Sequence, residues 1–196
     1  FLNLHSHVNN SKEFNFLYDF KTILEDLGHI TNISEIKLLS QQFFSKAFKI
    51  DPQKMHLGIV TAYHTSEKDY FFKKNNSLQT TIENFITQEN FIEYTDKSGI
   101  TGPIKILIYD EIAYTHFHEP TDFTQKLLFF LDTINADVFL PMYDQERIIG
   151  YIVIHKSSDR NILYSNIERD EMIVFSTYAA KIINLLQNRN LNELLK

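Results

Sequence analysis

The densest group of chemically versatile side chains lies between Tyr114 and Glu119, where the sequence reads Tyr-Thr-His-Phe-His-Glu. Imidazole and carboxylate groups bind zinc and related divalent ions, so His116, His118 and Glu119 could together form a metal site. A functional metal generally recruits further ligands and groups that orient them, and this spacing alone does not supply them. We therefore assign no metal ligand and keep a metal-dependent enzyme as the third of three hypotheses.

The same part of the chain also has the composition of a small-molecule pocket, because such sites combine apolar walls with a few converging polar groups. The candidate ligand-binding residues are Asp110, Tyr114, His116, Phe117, His118, Phe123, Leu127, Phe130 and Phe139. The competing interpretation is a closed core filled by aromatic rings, since the chain contains 17 phenylalanines and 10 tyrosines. The composition leaves both interpretations open and identifies no cofactor.

Covalent and phosphate chemistry have little support in the sequence. The chain has no cysteine, which removes thiol nucleophiles, disulfides and thiolate metal sites. Its five glycines are isolated, so no glycine-rich phosphate loop is present. The acidic side chains between positions 168 and 171 fit the first turn of a helix, where negative charge complements the helix dipole. We assign no catalytic residue and predict that the protein is not an enzyme.

The overall composition is typical of one globular domain, with 196 residues of which 43% are apolar and 22% charged. A net charge of -6 disfavours nucleic-acid binding, which needs a basic face. No run approaches the length of about 18 apolar residues that indicates a membrane span, and the start lacks a basic-then-apolar leader. We predict a cytoplasmic protein that contacts neither membrane nor nucleic acid. The chain begins at Phe1, which suggests a piece of a longer protein.

The elements that must position these side chains are organised around a hairpin over residues 136–156. Residues 137–143 and 148–155 are rich in β-branched and aromatic side chains, and the polar residues 144–147 between them predict a turn. Pro141 cannot donate to a strand ladder, so it should face an edge, a bulge or a ligand. Gly150 in mid-strand leaves a gap that another group can approach closely.

Hydrophobic periodicity and turn residues predict the remaining elements. Helices are predicted from Ser11 to Gly28, from a cap at Thr31 or Asn32 to a stop before Pro52, over 77–88, over 123–134, and from a capping box of Ser165 and Glu168. Strands are predicted over 55–63, 69–73, 91–95 and 104–109, with loops over 98–103, 110–122 and 157–163. This order predicts an α+β domain in which helices pack mainly on one face of an antiparallel sheet, with long N- and C-terminal helices.

The last helix also predicts self-association. Its apolar stripe runs past the predicted domain to the end of the chain, and the simplest cover for such leucines is the same helix of a second copy. We expect a homodimer through the first and last helices. The candidate interface residues are Phe14, Leu17, Leu24, Ile183, Leu186, Leu191 and Leu194.

Four motifs together resemble the GAF domain, a small-molecule-sensing module of signalling proteins. Residues 137–142 (DVFLPM) are similar to its apolar strand ending in proline and an aliphatic residue, and residues 148–153 (IIGYIV) to its Ile-Gly-apolar strand. Residues 164–170 (YSNIERD) are similar to its aromatic-Ser helix entry, and residues 104–110 (IKILIYD) to the strand that ends in Asp before the pocket helix. The resemblance covers about 34–186. It implies a sensor domain over 11–186 and the start of a signalling helix over 187–196. Residues 1–10 show no periodicity and are predicted to be a flexible lead-in.

The resemblance further implies a non-catalytic regulatory domain that binds a small-molecule effector and relays through dimeric helices to an attached output domain. Residues 185–195 are similar to helices that join such domains to a histidine kinase, an AAA+ transcriptional activator or a cyclase, which would place the protein in two-component signalling or transcription regulation. The Asn-Lys-x-Phe-Asp-Glu signature of cyclic-nucleotide members is missing, and the lack of cysteine excludes bilin attachment and methionine-sulfoxide reduction. The alternative is a ligand-free dimerisation or interaction spacer.

Overall fold

The computed structural model describes residues 18, 20–23, 25–60, 77–88, 94–95, 101–157 and 163–194. At 77, 88, 94, 95, 101 and 189–194 it describes the backbone alone. The chain divides into two compact units, Phe1–Pro52 and Gln53–Lys196. The predicted lead-in over 1–10 and the predicted strand over 69–73 lie outside the described residues. The candidate interface residues Phe14, Leu17 and Leu24 lie outside them as well.

The first unit contains two helices. The described residues from 18 to 28 are helical and form α1, and α2 spans Ile33–Phe48. Asn32 caps α2, because its side chain accepts a hydrogen bond from the Glu35 amide at 3.0 Å while the Glu35 carboxylate accepts from the Thr31 amide at 3.0 Å. This confirms the helix and its predicted cap.

The second unit contains a four-stranded antiparallel sheet, a separate two-stranded ladder and four helices among the described residues. The sheet order is β1-β6-β5-β4, and β2 pairs with β3. The strands are β1 (Met55–Ile59), β2 (Tyr94–Thr95), β3 (Thr101–Gly102), β4 (Leu107–Ile108), β5 (Ala136–Asp144) and β6 (Arg147–His155). The helices are α3 (Ser77–Gln88), α4 (Tyr109–His118), α5 (Asp122–Thr133) and α6 (Asn166–Leu194), and a 3-10 turn spans Pro52–Lys54. The predicted α+β class and antiparallel sheet are confirmed.

The predicted hairpin forms the centre of this sheet. β5 and β6 pair from Ala136 opposite His155 to Asp144 opposite Arg147, and Gln145 at the turn adopts a φ of 55°. Pro141 is tolerated in a central strand because the ladder between β4 and β5 stops at Phe139, so no strand requires its missing donor on that side. The hairpin prediction is therefore confirmed.

Helices cover both faces of the sheet, which corrects the prediction that they lie mainly on one. One face carries a core cluster that joins Phe139, Tyr151 and Val153 to the buried side chains of α3 and α5. Because successive strand residues alternate sides, Val138, Leu140 and their neighbours face the opposite way. α6 packs on β5 and β6 there. Its buried residues are Met172, Phe175, Ala179, Ala180 and Ile183, in agreement with the predicted stripe.

Two predictions between residues 104 and 122 are wrong. The strand predicted over 104–109 is reduced to Leu107–Ile108, because the Ile104 carbonyl accepts a hydrogen bond from the Tyr143 side chain and β4 pairs with only two residues. The loop predicted over 110–122 is largely α4, whose first turn carries Asp110 and Glu111 at the positive end of the helix dipole.

The predicted capping box at the start of α6 is confirmed. The Ser165 hydroxyl accepts from the Glu168 amide at 3.2 Å, and the Glu168 carboxylate accepts from the Ser165 amide at 2.9 Å. Among the helices of the described residues, none combines the length and the apolar content that crossing a bilayer requires.

The two mid-strand glycines allow the sheet to pack closely. A Cβ at Gly150 would lie 2.6 Å from the Met142 methyl and 2.8 Å from the Gly58 carbonyl oxygen, and a Cβ at Gly58 would overlap the Tyr151 ring. Both side chains occupy the space that the missing Cβ atoms leave. The close approach predicted for Gly150 is present.

We expect Gly150→Ala to lower the free energy of unfolding by about 1–3 kcal/mol, because a backbone atom blocks the added methyl and cannot rotate away. Gly102→Ala, where no atom lies within 4 Å of the added Cβ, is the matched control and should change it by less than about 0.5 kcal/mol. Urea denaturation followed by circular dichroism measures both. Equal effects of the two substitutions would contradict the packing role of Gly150.

Candidate functional site

A cavity of about 420 Å³ lies at the β4 edge of the second unit. Residues 103–107 form one wall, α4 and α5 form a second, and the first turns of α6 form a third. The lining residues are Pro103, Ile104, Lys105, Ile106, Leu107, Glu111, Ile112, Thr115, Phe123, Thr124, Leu127, Arg169 and Ile173. Volume and lining fit a small-molecule site, which is mostly apolar with few polar groups.

The wall formed by residues 103–107 is held by one side chain of β5. The Tyr143 hydroxyl donates a hydrogen bond to the Ile104 carbonyl oxygen at 2.8 Å. Burial raises the pKa of the Tyr143 phenol, so the hydroxyl keeps its proton and remains a donor. This hydrogen bond fixes residues 103–106, which precede β4 and belong to no strand.

The junction of α4 and α5 is fixed by a hydrogen-bonded group around Thr124. Thr121 caps α5 by accepting from the Thr124 amide at 3.1 Å, and the Thr124 hydroxyl accepts from the Thr121 amide at 3.2 Å. His116 Nδ1 lies 2.8 Å from the same hydroxyl. The same hydroxyl also lies 3.0 Å from the Thr121 carbonyl oxygen, so it contacts both the end of α4 and the start of α5. His116 thus has a structural role in joining the two helices.

The polar groups that reach the cavity include one ion pair between different elements. Arg169 Nη1 of α6 lies 3.3 Å from Glu111 Oε2 of α4, with side chains 42% and 44% exposed. Lys105 is a second basic residue of the lining. Thr115 also lines the cavity, and its hydroxyl donates to the Glu111 carbonyl at 2.8 Å. The lining therefore carries two cations and one carboxylate.

The structure separates the predicted ligand-binding residues into three groups. Phe123 and Leu127 line the cavity, and His116 lies behind it against Thr124. Phe130 and Phe139 belong to the core, where their rings pack edge to face with centroids 5.1 Å apart. The third group is exposed on α4 and does not line this cavity: Asp110, Tyr114, Phe117 and His118.

The reason for this sorting is the helical phase of α4. In a helix, positions 111, 112 and 115 lie within an arc of about 100°, and 110, 114 and 117 point outside it. His118 points in nearly the same direction as Glu111 but lies almost two turns further along the helix. Treating the segment as a loop hid this spacing, so Glu111, Ile112 and Thr115 were missed. The signal was present as an i, i+1, i+4 pattern. Arg169 and Ile173 were missed because they are distant in sequence from the rest of the site.

The residues of the metal hypothesis do not converge. His116 and His118 are two positions apart on α4, so their side chains point about 200° apart around the helix axis. His116 contacts Thr124, while the His118 ring lies against Tyr114 with centroids 4.4 Å apart. Glu119 is the C-cap of the helix. Among the described residues, no three histidine, aspartate or glutamate side chains are placed to hold a metal ion.

A second unusual polar group lies in the core, on the sheet face that α3 and α5 cover. The Tyr151 ring is fully buried and stacks on Phe139, and its hydroxyl has no hydrogen-bond partner within the described part of the chain. Burial raises the pKa of the Tyr151 phenol, and the Glu83 carboxylate raises it further. The hydroxyl is therefore protonated and buried at a cost in stability.

The half-buried Tyr143 and the buried Tyr151 give opposite predictions for removal of a hydroxyl. Tyr143→Phe should lower the free energy of unfolding by about 1 kcal/mol, because it leaves the Ile104 carbonyl without its donor. Tyr151→Phe should leave it unchanged or raise it by about 1 kcal/mol, because that hydroxyl has no protein partner to lose. Parallel urea titrations measure both. A loss at Tyr151→Phe as large as that at Tyr143→Phe would contradict this account.

Searches against protein-family models, curated proteins and solved structures returned no significant match. The resemblance to GAF domains thus rests on the four sequence motifs.

Proposed function

We propose that the chain is a non-catalytic, cytoplasmic sensor domain of the GAF type, which binds a small-molecule effector and regulates an attached output domain. The observation that carries the proposal is the cavity of about 420 Å³, because the first turns of α6 form part of its wall. A ligand there contacts Arg169 and Ile173 directly. The output domain would be a histidine kinase, an AAA+ transcriptional activator or a cyclase.

The length of α6 suits a relay. The helix has 29 residues, which at 1.5 Å per residue corresponds to about 44 Å. A small change in tilt at its first turns is therefore amplified at Leu194. A ligand shifts such an equilibrium only to the extent that it binds the two helix positions with different free energies. Contact between ligand and helix provides a direct source of that difference.

The proposed homodimer fits a different stripe of α6 from the predicted one. Ile183 and Leu186 are buried within the single chain, with 0% and 6% exposed, so they are covered without a second copy. The helix instead exposes four large apolar side chains at steps of seven, four and seven: Ile167, Val174, Tyr178 and Leu185. This is the a/d spacing of a coiled-coil seam. The backbone is helical at Leu191 and Leu194, whose side chains lie outside the described part of the chain.

The alternative function is a spacer that dimerises without a ligand, and one observation favours it. The sheet face under α3 and α5 is filled by stacked rings, with Phe85 and Phe130 centroids 3.9 Å apart and Phe139 against Tyr151 at 5.9 Å. The sequence suggested a cavity beneath Phe130 and Phe139. In the structure, aromatic rings pack around these two residues instead. The spacer and the sensor share the α6 seam and differ in whether the cavity at the β4 edge is occupied.

Filling the cavity distinguishes the two functions. We expect native mass spectrometry of the chain purified from its own source to show a bound small molecule, which Thr115→Phe removes by placing a ring in the cavity. Thr133→Phe is the matched control, because both threonines donate to the carbonyl four residues earlier, at 2.8 and 2.7 Å, and Thr133 is exposed outside the cavity. A molecule retained by Thr115→Phe would place the ligand elsewhere. No molecule in any of the three proteins would favour the spacer.

A charged substitution in the exposed apolar stripe of α6 tests the proposed dimer interface. Leu185→Glu should weaken self-association by about tenfold or more, because it places a carboxylate in the apolar stripe of both copies. Leu163→Glu is the control, since that leucine is 72% exposed against 64% for Leu185 and lies outside α6. Sedimentation equilibrium measures both dissociation constants. Equal values for the two variants would remove the seam from the proposal.

A further inference from the structure

We propose that the cavity at the β4 edge binds a small carboxylate with an apolar body, and that the ligand carboxylate replaces Glu111 as the partner of Arg169. The inference rests on the proposed function and adds to it the ligand class and the first step of the relay. Its basis is the distribution of charge and apolar surface among the lining residues.

The charge of the lining favours an anion. Arg169 and Lys105 contribute two positive charges and Glu111 one negative charge. A neutral ligand would leave this imbalance unchanged, and a cation would increase it. An arginine side chain binds a carboxylate through two parallel hydrogen bonds, which also fixes the orientation of the ligand.

The existing ion pair is suited to exchange. Arg169 and Glu111 are 3.3 Å apart and both about two-fifths exposed, so their pairing contributes little to stability. When a ligand carboxylate takes the place of Glu111, the arginine keeps a charged partner. Glu111 is itself exposed, so it returns to water without being buried alone. The exchange therefore requires no uncompensated charge inside the protein.

The remaining walls specify an apolar ligand body. Ile106, Ile112, Leu127 and Ile173 present aliphatic side chains to the cavity, and Phe123 adds a ring. Transfer of a hydrocarbon chain from water to this surface is favourable. An inorganic anion would satisfy the charge without using these walls. The combination therefore selects an amphipathic carboxylate.

The exchange has a mechanical consequence because the ion pair joins two elements. Glu111 belongs to α4 and Arg169 to α6. Replacement of Glu111 removes this bridge between the two helices and leaves Arg169 attached to the ligand. The ligand thus changes the restraint on the first turns of α6, which is the differential interaction that a relay needs.

The test uses three probes with the same hydrocarbon chain and different charge: hexanoate, hexan-1-ol and hexylammonium. Each is titrated into the full chain, and amide shifts of Thr115, Leu127 and Ile173 report binding at the cavity. We expect hexanoate to bind about tenfold more tightly than hexan-1-ol, as one charge-assisted hydrogen-bonded pair provides, and hexylammonium to bind most weakly.

Variants of the ion pair identify the residue that recognises the charge. Arg169→Gln should reduce hexanoate binding to the level of hexan-1-ol and leave hexan-1-ol binding unchanged. Glu111→Gln should strengthen hexanoate binding about two- to fivefold, because it removes the competing carboxylate. Lys37→Gln is the control for Arg169→Gln, because it also removes one positive charge, from an exposed side chain of α2, and it should change the binding of neither hexanoate nor hexan-1-ol.

Different results would contradict the carboxylate exchange and the proposed sensor function. Equal binding of the three probes, or a hexanoate preference that survives Arg169→Gln, would overturn the carboxylate exchange while the cavity remained a ligand site. If no probe shifts the cavity amides and Thr115→Phe removes no co-purified molecule, both proposals are wrong.

Discussion

The structure of the second unit depends on close pairing of β5 and β6, a hairpin buried on both faces. Seven consecutive residues of β6 are buried, as expected for a strand covered by helices on two sides. Such packing leaves little space for large side chains, and Gly58 and Gly150 provide that space because they have no Cβ atom. The Tyr151 ring lies over Gly58 and the Met142 methyl lies against Gly150. The hairpin can therefore support α5 on one face and α6 on the other.

The candidate site follows from where this sheet ends. β4 pairs with only two residues of β5, so the sheet stops early on that side, and the helices of the two faces approach one another beyond it. The chain before β4 is fixed by the Tyr143 hydroxyl and not by a ladder. A cavity forms at this edge because neither strand nor core side chain fills it. Its walls include elements from both faces of the sheet.

The same arrangement places one helix, α6, at both the cavity and the core of the sheet. α6 begins with a capping box at Ser165 and Glu168, contributes Arg169 and Ile173 to the cavity, and buries its next turns against the sheet. The opposite side of the helix exposes an apolar stripe at heptad spacing. One helix thus carries a ligand contact, a core contact and a proposed subunit contact. In the proposed mechanism these three are coupled because the helix moves as one rigid element.

The sequence by itself determined the elements whose signals are local. The hairpin, α3, α5, a cap of α2 at Thr31 or Asn32 and the capping box of α6 follow from alternation, helical spacing and side chains that bond to amides three residues away. The structure selects Asn32. Tertiary structure alone decided the course of residues 104–122. There a run of isoleucines forms a cavity wall because the sheet ends early, and an apparently polar loop is α4, whose half-buried Ile112 and Thr115 line the cavity. It also decided that Arg169 meets Glu111, a contact between residues 58 positions apart that no local pattern contains.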